Sequence, residues 1–134
     1  HAAGASGNGL FKAAKDMEKW AIGVDSDQGL VYASSDTKEE QETSKWILTS
    51  MLKRVDNSVY LTAQELIENG EVKGGYKTFD LEDNGVGYAV NDYNRELLAP
   101  YADQVEAMKQ DIIDGEISVP DHDDKLDAWI SETF

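Results

Sequence analysis

The run Trp20-Ala-Ile-Gly-Val-Asp-Ser-Asp-Gln28 constrains this chain more than any other feature. An apolar stretch ends abruptly in two aspartates, the pattern of a buried strand whose carboxyl end delivers carboxylates to the rim of a sheet. In open α/β sheets that rim is where small ligands bind. A glycine-rich turn precedes the run and Leu48-Thr-Ser-Met-Leu-Lys-Arg-Val-Asp56 follows it. The chain therefore reads as part of a ligand site, and the question becomes which ligand.

With 134 residues the chain is one domain at most, or a piece of a larger one. Its 40% hydrophobic residues suffice for a packed core, and no apolar run approaches the ~20 residues of a membrane span. No signal peptide is recognisable, although a mature or truncated chain would show none. The 27 acidic residues against 12 basic ones give a net charge of −15. Phosphate backbones are gripped by clustered Lys and Arg, so no nucleic acid partner is expected, and the acidity reads as a soluble, self-repelling surface. The absence of cysteine excludes disulfides, thiolate metal sites and thiol nucleophiles. With His1 and His122 alone, no histidine-rich zinc site is expected, and no cofactor is implied.

Along the chain, Ser6 is placed to cap a helix over about 7–19, with Leu10, Phe11, Ala14 and Met17 on one face. Trp20–Val24 is a strand, and the polar stretch Ser26–Ser44 reads as an irregular surface loop. Trp46–Thr49 is a second strand. Ser50 then caps an amphipathic helix through Met51, Leu52, Val55, Val59, Ala63, Leu66 and Ile67, ended by Asn69-Gly70. Tyr76–Phe79 and Val86–Val90 flank Asp83-Asn84-Gly85 as a hairpin. Pro100 opens a further helix ended by Gly115, Ile117–Val119 is a last strand, and residues 121–134 form a short docking helix. The order predicts an α/β fold with an open, mainly parallel sheet flanked by helices, residues 1–120 forming the main body and 121–134 a tail. The chain begins almost on its glycine turn, where a strand should come first, so it reads as the second half of something.

Three groups can carry chemistry. Gly7 and Gly9 leave the N–H groups of a helix start uncovered for a polar ligand. The turn matches neither the dinucleotide fingerprint nor a P-loop, and a plain strand-to-helix turn explains it equally. Asp25 and Asp27 come next: a carboxylate at a strand's end can accept two hydrogen bonds from a vicinal diol. Against this, Asp27 can simply turn the chain. An EF-hand is rejected, because its fifth, sixth and twelfth places hold Gly29, Leu30 and Asp36. Lys53 and Arg54 are third. In the first turn of a Ser50-capped helix they would oppose the dipole, and such breaches mark functional sites. Lys53 can reach Asp25 and donate to the same hydroxyls, while Arg54 reads as a solvated cation paired with Asp56. Trp46, Tyr76, Tyr88 and Tyr93 can stack on a ring but more often belong to a core. Asp121-His-Asp-Asp124 is an exposed helix cap rather than a metal site, and no catalytic constellation is visible.

Three blocks carry a resemblance: Ala3-Gly4-Ala-Ser6-Gly-Asn-Gly9-Leu-Phe-Lys-Ala-Ala14, Ile22-Gly-Val-Asp-Ser-Asp-Gln28 and Leu48–Asp56. Lys73-Gly-Gly75, Gly85-Val-Gly87 and Asp111–Gly115 leading to Val119-Pro120 match more weakly. Over about residues 2–120 the chain resembles the basic membrane protein family, the substrate-binding lipoproteins of nucleoside ABC transporters. The resemblance implies a type I periplasmic-binding fold of two lobes closing on a ligand, with this chain mostly the C-terminal lobe and the N-terminal lobe absent. It implies that Asp25 and Lys53 hold a ribose and that the backbone around Gly4 lies against the ligand; Ser6 and Asp27, beside these residues in the sequence, are expected at the same site. The aromatic pair that sandwiches the base would come largely from absent sequence. It further implies an ABC transporter permease as partner and a lipid anchor at the cell surface or periplasm, on a cysteine upstream of residue 1. The segment 29–45 is longer than in many relatives.

The expected function is therefore capture of purine nucleosides, or a related ribose-containing solute, without catalysis. A hydrolase using Asp25 and Asp27 is the enzymatic alternative, to be separated by substrate turnover. A half-length partner-binding module is the third, and its uncovered lobe face would make it a complex or dimer.

Overall fold

Two strands that end side by side on acidic and basic residues organise the computed structural model, which describes residues 1, 4–120 and 123–133. The strand stub at Ala2-Ala3 and the Asp121-His122 part of the acidic cap lie outside the described residues. The chain divides into two units, His1–Ala99 and Pro100–Phe134.

In the first unit a 3-10 turn, Gly4–Gly7, leads into α1 (Asn8–Asp16). The expected Ser6 cap is not formed: Gly7 is the N-cap and has no side-chain bond, because the chain is already turning through Ser6. Of the predicted apolar face, Phe11 and Ala14 are buried, whereas Leu10 and Met17 are exposed.

Strand β1 (Ala21–Asp25) pairs in parallel with β2 (Ile47–Lys53), aligning Gly23 with Ser50 and Asp25 with Leu52. Strand β3 (Val86–Tyr88) pairs antiparallel with β2, matching Lys53 with Val86. The sheet is thus mixed, in the order β1-β2-β3, rather than mainly parallel. The return path explains the difference. Helix α4 (Val55–Asn69) runs back from the end of β2, and segment 70–85 carries the chain forward again without pairing. Lys77 ties that segment to Glu65 of α4 at 2.7 Å, and Asn57 in the first turns of α4 donates to the Asp83 carbonyl at 2.6 Å. Strand β3 therefore starts beside the end of β2 and must run the opposite way. The Asp83-Asn84-Gly85 turn exists, with Asn84 at φ 54, but it joins β3 to this unpaired segment and no hairpin forms.

Ser26–Ser44 is not an irregular loop. It holds α2 (Gln28–Ala33) and α3 (Lys38–Ser44), each started by a side chain: Asp27 accepts from the Leu30 N–H, and Thr37 from that of Glu40. Thr37-Lys-Glu-Glu40 has the capping-box sequence, but the Glu40 carboxylate accepts from the Thr37 hydroxyl at 3.1 Å while the Thr37 N–H donates to Ser35 Oγ at 3.1 Å. The long helix, in turn, begins at Val55 rather than Ser50. Apolar residues at Met51 and Leu52 suit a helical period by coincidence, but the backbone from Ser50 to Lys53 is claimed by ladders on both sides. Gly70, at φ 76, ends α4 as expected.

The core joins Phe11, Ala14, Ala21 and Ile47, with Tyr32 packed edge-on against Phe11 at 5.3 Å. Burial, then the nearby Glu40, pushes the Tyr32 hydroxyl above its ordinary pKa. No residue of α4 is buried, and Val55, Val59 and Leu66 stand exposed along one stripe. A short helix, α5 (Arg95–Leu98), follows β3.

The second unit contains α6 (Ala102–Ile113), ended at Gly115 with φ 78, and α7 (Leu126–Thr133). Ile117–Val119 is not a strand; the Ile117 N–H turns back to the Asp111 carbonyl at 3.0 Å.

Candidate functional site

The carboxyl ends of β1 and β2 bring Asp25 and Lys53 together. Lys53 Nζ lies 3.4 Å from Asp25 Oδ1, and both side chains are more than half exposed, at 60% and 56%. Lys53 closes β2 rather than lying in the first turn of a helix; Arg54 after it is the N-cap of α4. The position of Lys53 comes from the ladder, which sets it one residue beyond the partner of Asp25.

Asp25 has φ +70, a left-handed backbone that a residue with a Cβ adopts at a cost. The Ser26 N–H bonds the Val24 carbonyl at 2.9 Å and closes a three-residue turn around it. Such strain costs about 1–3 kcal/mol, whereas an exposed ion pair returns about 0–1 kcal/mol. The pair therefore does not account for the strain, which suits a residue shaped for something other than stability. Both charged groups keep hydrogen-bonding capacity facing solvent: carboxylate lone pairs on Asp25 and ammonium protons on Lys53.

Asp27, the other aspartate, is committed to the scaffold. Its Oδ1 accepts from the Leu30 N–H at 2.9 Å, and its Oδ2 from Asn91 Nδ2 at 2.8 Å. Both oxygens are thus engaged, one at the start of α2 and the other on Asn91. Arg54 turns away from the rim and forks onto Asp56, with Nε–Oδ1 at 3.0 Å and Nη2–Oδ2 at 2.8 Å. That hydrogen bonding holds the Asp56 carboxyl below its ordinary pKa and raises Arg54.

Gly4, at φ +53, and Ser6 are exposed in the 3-10 turn. The His1 imidazole spans from this turn to β1's outgoing end: Nε2 donates to the Gly4 carbonyl at 2.7 Å, and Nδ1 lies 3.3 Å from Gln28 Oε1.

Sequence reasoning missed three supporting residues. Gln28 Oε1 accepts from the Val24 N–H at 2.8 Å, and the Gln28 N–H donates to Ser50 Oγ, fully buried, at 3.1 Å. Asn94, also buried, donates to the carbonyls of Leu48 at 3.0 Å and Ala89 at 2.9 Å, and accepts from the Asn91 N–H at 2.7 Å. Asn91-Asp-Tyr-Asn94 after a strand was a legible turn signal. Of the aromatic candidates, Tyr93 lines a cleft of about 190 Å³ with Trp20 and Ile47, at the opposite end of β2 from Lys53; Trp46 packs against Trp20 at 5.9 Å, Tyr88 pairs with Met51 in β3, and Tyr76 is exposed. Among the described residues no cluster of metal-ligating side chains is present.

A family model described as Bmp, ABC transporter substrate-binding protein PnrA-like, matches residues 1–123. The chain belongs to this family. The PnrA-like assignment agrees with the three blocks quoted above. It is 40% identical to the "CD4+ T-cell-stimulating antigen" of Listeria monocytogenes, over 90% of this chain and 35% of that protein. It is 34% identical to the "ABC transporter nucleoside-binding protein BmpA" of Lactococcus lactis, over 88% of this chain and 34% of that one. The chain thus spans about a third of the length of these curated relatives. A solved ABC transporter solute-binding protein from Aeropyrum pernix superposes with a TM-score of 0.60 over 97% of this PnrA-like chain and 42% of that structure. At 24% identity it supports the fold.

Proposed function

We propose that this chain supplies one lobe of the solute-binding subunit of an ABC importer, and that Asp25 and Lys53 grip the vicinal hydroxyls of a ribose-containing solute. A purine nucleoside is the foremost candidate. The observation that carries the reading is the strained, solvent-facing Asp25 with Lys53 at 3.4 Å. A diol donates its protons to the carboxylate and accepts from the ammonium, so both partners gain bonds that the exposed pair lacks. Binding without turnover is favoured because Asp27 is occupied by Leu30 and Asn91, which counts against a hydrolase built on the two aspartates. The Lactococcus lactis relative's name as a nucleoside-binding protein points to the same solute.

In this reading the backbone at Gly4 and the hydroxyl of Ser6 approach the solute from the first turn, and Asp27 supports the site from beneath. The N-terminal lobe supplies the rings that sandwich the base, the permease receives the loaded protein, and a lipid anchor holds it at the cell surface or in the periplasm. Alone, the lobe self-associates through apolar surface such as the α4 stripe.

Calorimetric titration with adenosine, guanosine, inosine, uridine and ribose, beside a Lys53→Ala variant, tests this function. Saturable binding of purine nucleosides, weakened in the variant, is expected. Binding that ignores Lys53, or turnover of the nucleoside, contradicts it.

A further inference from the structure

We propose that Gln28 is a positioning residue for Asp25: its side chain holds the strained turn that aims the Asp25 carboxylate, and so sets selectivity for a vicinal diol. The inference rests on the diol reading of Asp25 and Lys53 and deepens it.

Asp25 is the central residue of a turn closed by the Ser26 N–H on the Val24 carbonyl at 2.9 Å. With φ at +70 this is the rarer, strained hand of such a turn, which persists only where its surroundings over-determine it. Gln28 supplies that surrounding. Its Oε1 takes the N–H of Val24, the residue just before Asp25, at 2.8 Å. Its own N–H is fixed at 3.1 Å to Ser50 Oγ, which is fully buried on β2. The turn is therefore tied to the neighbouring strand through one residue, whose side chain holds Val24 and whose backbone N–H holds Ser50.

Gly23 makes the reach possible. A Cβ there would stand 2.5 Å from Ser50 Oγ and 2.8 Å from Gln28 Oε1, so any other residue would displace the clamp. Asp27 fixes the start of the same helix through Leu30 and Asn91, which leaves Gln28 little freedom to drift. Without the Gln28 acceptor, the Val24 N–H loses its partner and Asp25 relaxes toward an ordinary extended backbone, swinging its carboxylate away from the diol. Contacts to the base are made by other groups and are unaffected.

The test uses the two-lobed protein, titrated with inosine and with 2′,3′-dideoxyinosine. Gln28→Met keeps the length of the side chain and removes the acceptor. Losing one such hydrogen bond is expected to weaken inosine binding by about tenfold, with the dideoxy analogue unchanged. Gln28→Glu keeps an accepting oxygen and restores most of the inosine affinity. Should the Met variant not fold, Ser50→Ala loosens the clamp from β2 and predicts the same selective loss. Equal loss on both nucleosides marks a merely structural role and overturns the proposal, as does unchanged inosine binding in a series where Asp25→Asn abolishes it. If Asp25→Asn itself binds inosine normally, the diol reading fails first, and the series identifies that failure separately.

Discussion

Lys53 Nζ stands 3.4 Å from Asp25 Oδ1 across a parallel ladder that pairs Asp25 with Leu52, one residue short of the lysine. Because the pair is exposed and Asp25 is strained, stability and binding should separate. Asp25→Gly relieves the left-handed backbone. Strain relief of about 1–3 kcal/mol is partly offset by glycine's chain entropy, about 0.5–1 kcal/mol, and by the lost ion pair. Urea denaturation is expected to show a variant no less stable than the parent, while nucleoside binding is lost. A clear destabilisation would mean that the turn carries structural rather than functional weight.

Gly23 is predicted to be intolerant of even one carbon. Gly23→Ala pushes a methyl into Ser50 Oγ and the Gln28 side chain, and overpacking of this kind costs about 1–3 kcal/mol. Denaturant midpoints compare the two proteins, and an alanine variant as stable as the parent would show that the β1–α2 turn is looser than its hydrogen bonds indicate.

Asn94 closes the other end of β2. Asn94→Ala strips a donor from the Leu48 and Ala89 carbonyls and an acceptor from the Asn91 N–H. Leaving buried groups unpaired is expected to cost about 2–3 kcal/mol. The Ala89 carbonyl keeps the Thr49 hydroxyl at 2.7 Å, so the loss falls mainly on Leu48 and Asn91. Thermal unfolding of Asn94→Ala measures it, and an unshifted midpoint would contradict the assignment.

Much of this was legible from the residues. The end of β1 and its two aspartates follow from an apolar run ending in Asp-Ser-Asp; Lys53 was expected within reach of Asp25, but from the first turn of a helix rather than from the end of β2. Gly70 and Gly115 ended helices where expected. The errors share one cause: local pattern was read without the ladder that competes for it. Met51 and Leu52 satisfy a helical period, yet β1 and β3 claim that backbone from either side. The hairpin failed because Lys77 and Asn57 fasten segment 70–85 to α4 instead of to β3. The helices within 26–44 were missed although Thr37-Lys-Glu-Glu40 announced one of them. Gln28 and Ser50 were invisible as a pair, since only the fold brings the start of α2 against the middle of β2.

Acid should loosen the chain through its tied carboxylates. Lys77 holds Glu65 below its ordinary value of 4.5, and Arg54 holds Asp56 below its ordinary 3.8. A depressed carboxyl contributes stability that is present above the unfolded pKa and is lost as pH falls through the folded one. Unfolding temperature is therefore expected to decline from about pH 4.5 downward, less steeply in Lys77→Ala. A flat profile in the parent down to pH 3 would contradict the sign.

The central claim is that the Asp25–Lys53 pair recognises a vicinal diol, and one comparison tests it most directly. The two-lobed protein is titrated calorimetrically with inosine and with 2′,3′-dideoxyinosine under identical conditions. Two charge-assisted hydrogen bonds at about 1.5–3 kcal/mol each predict that inosine binds at least about a hundredfold more tightly. Equal affinities for the two nucleosides would contradict the account, because the pair would then be reading nothing on the sugar.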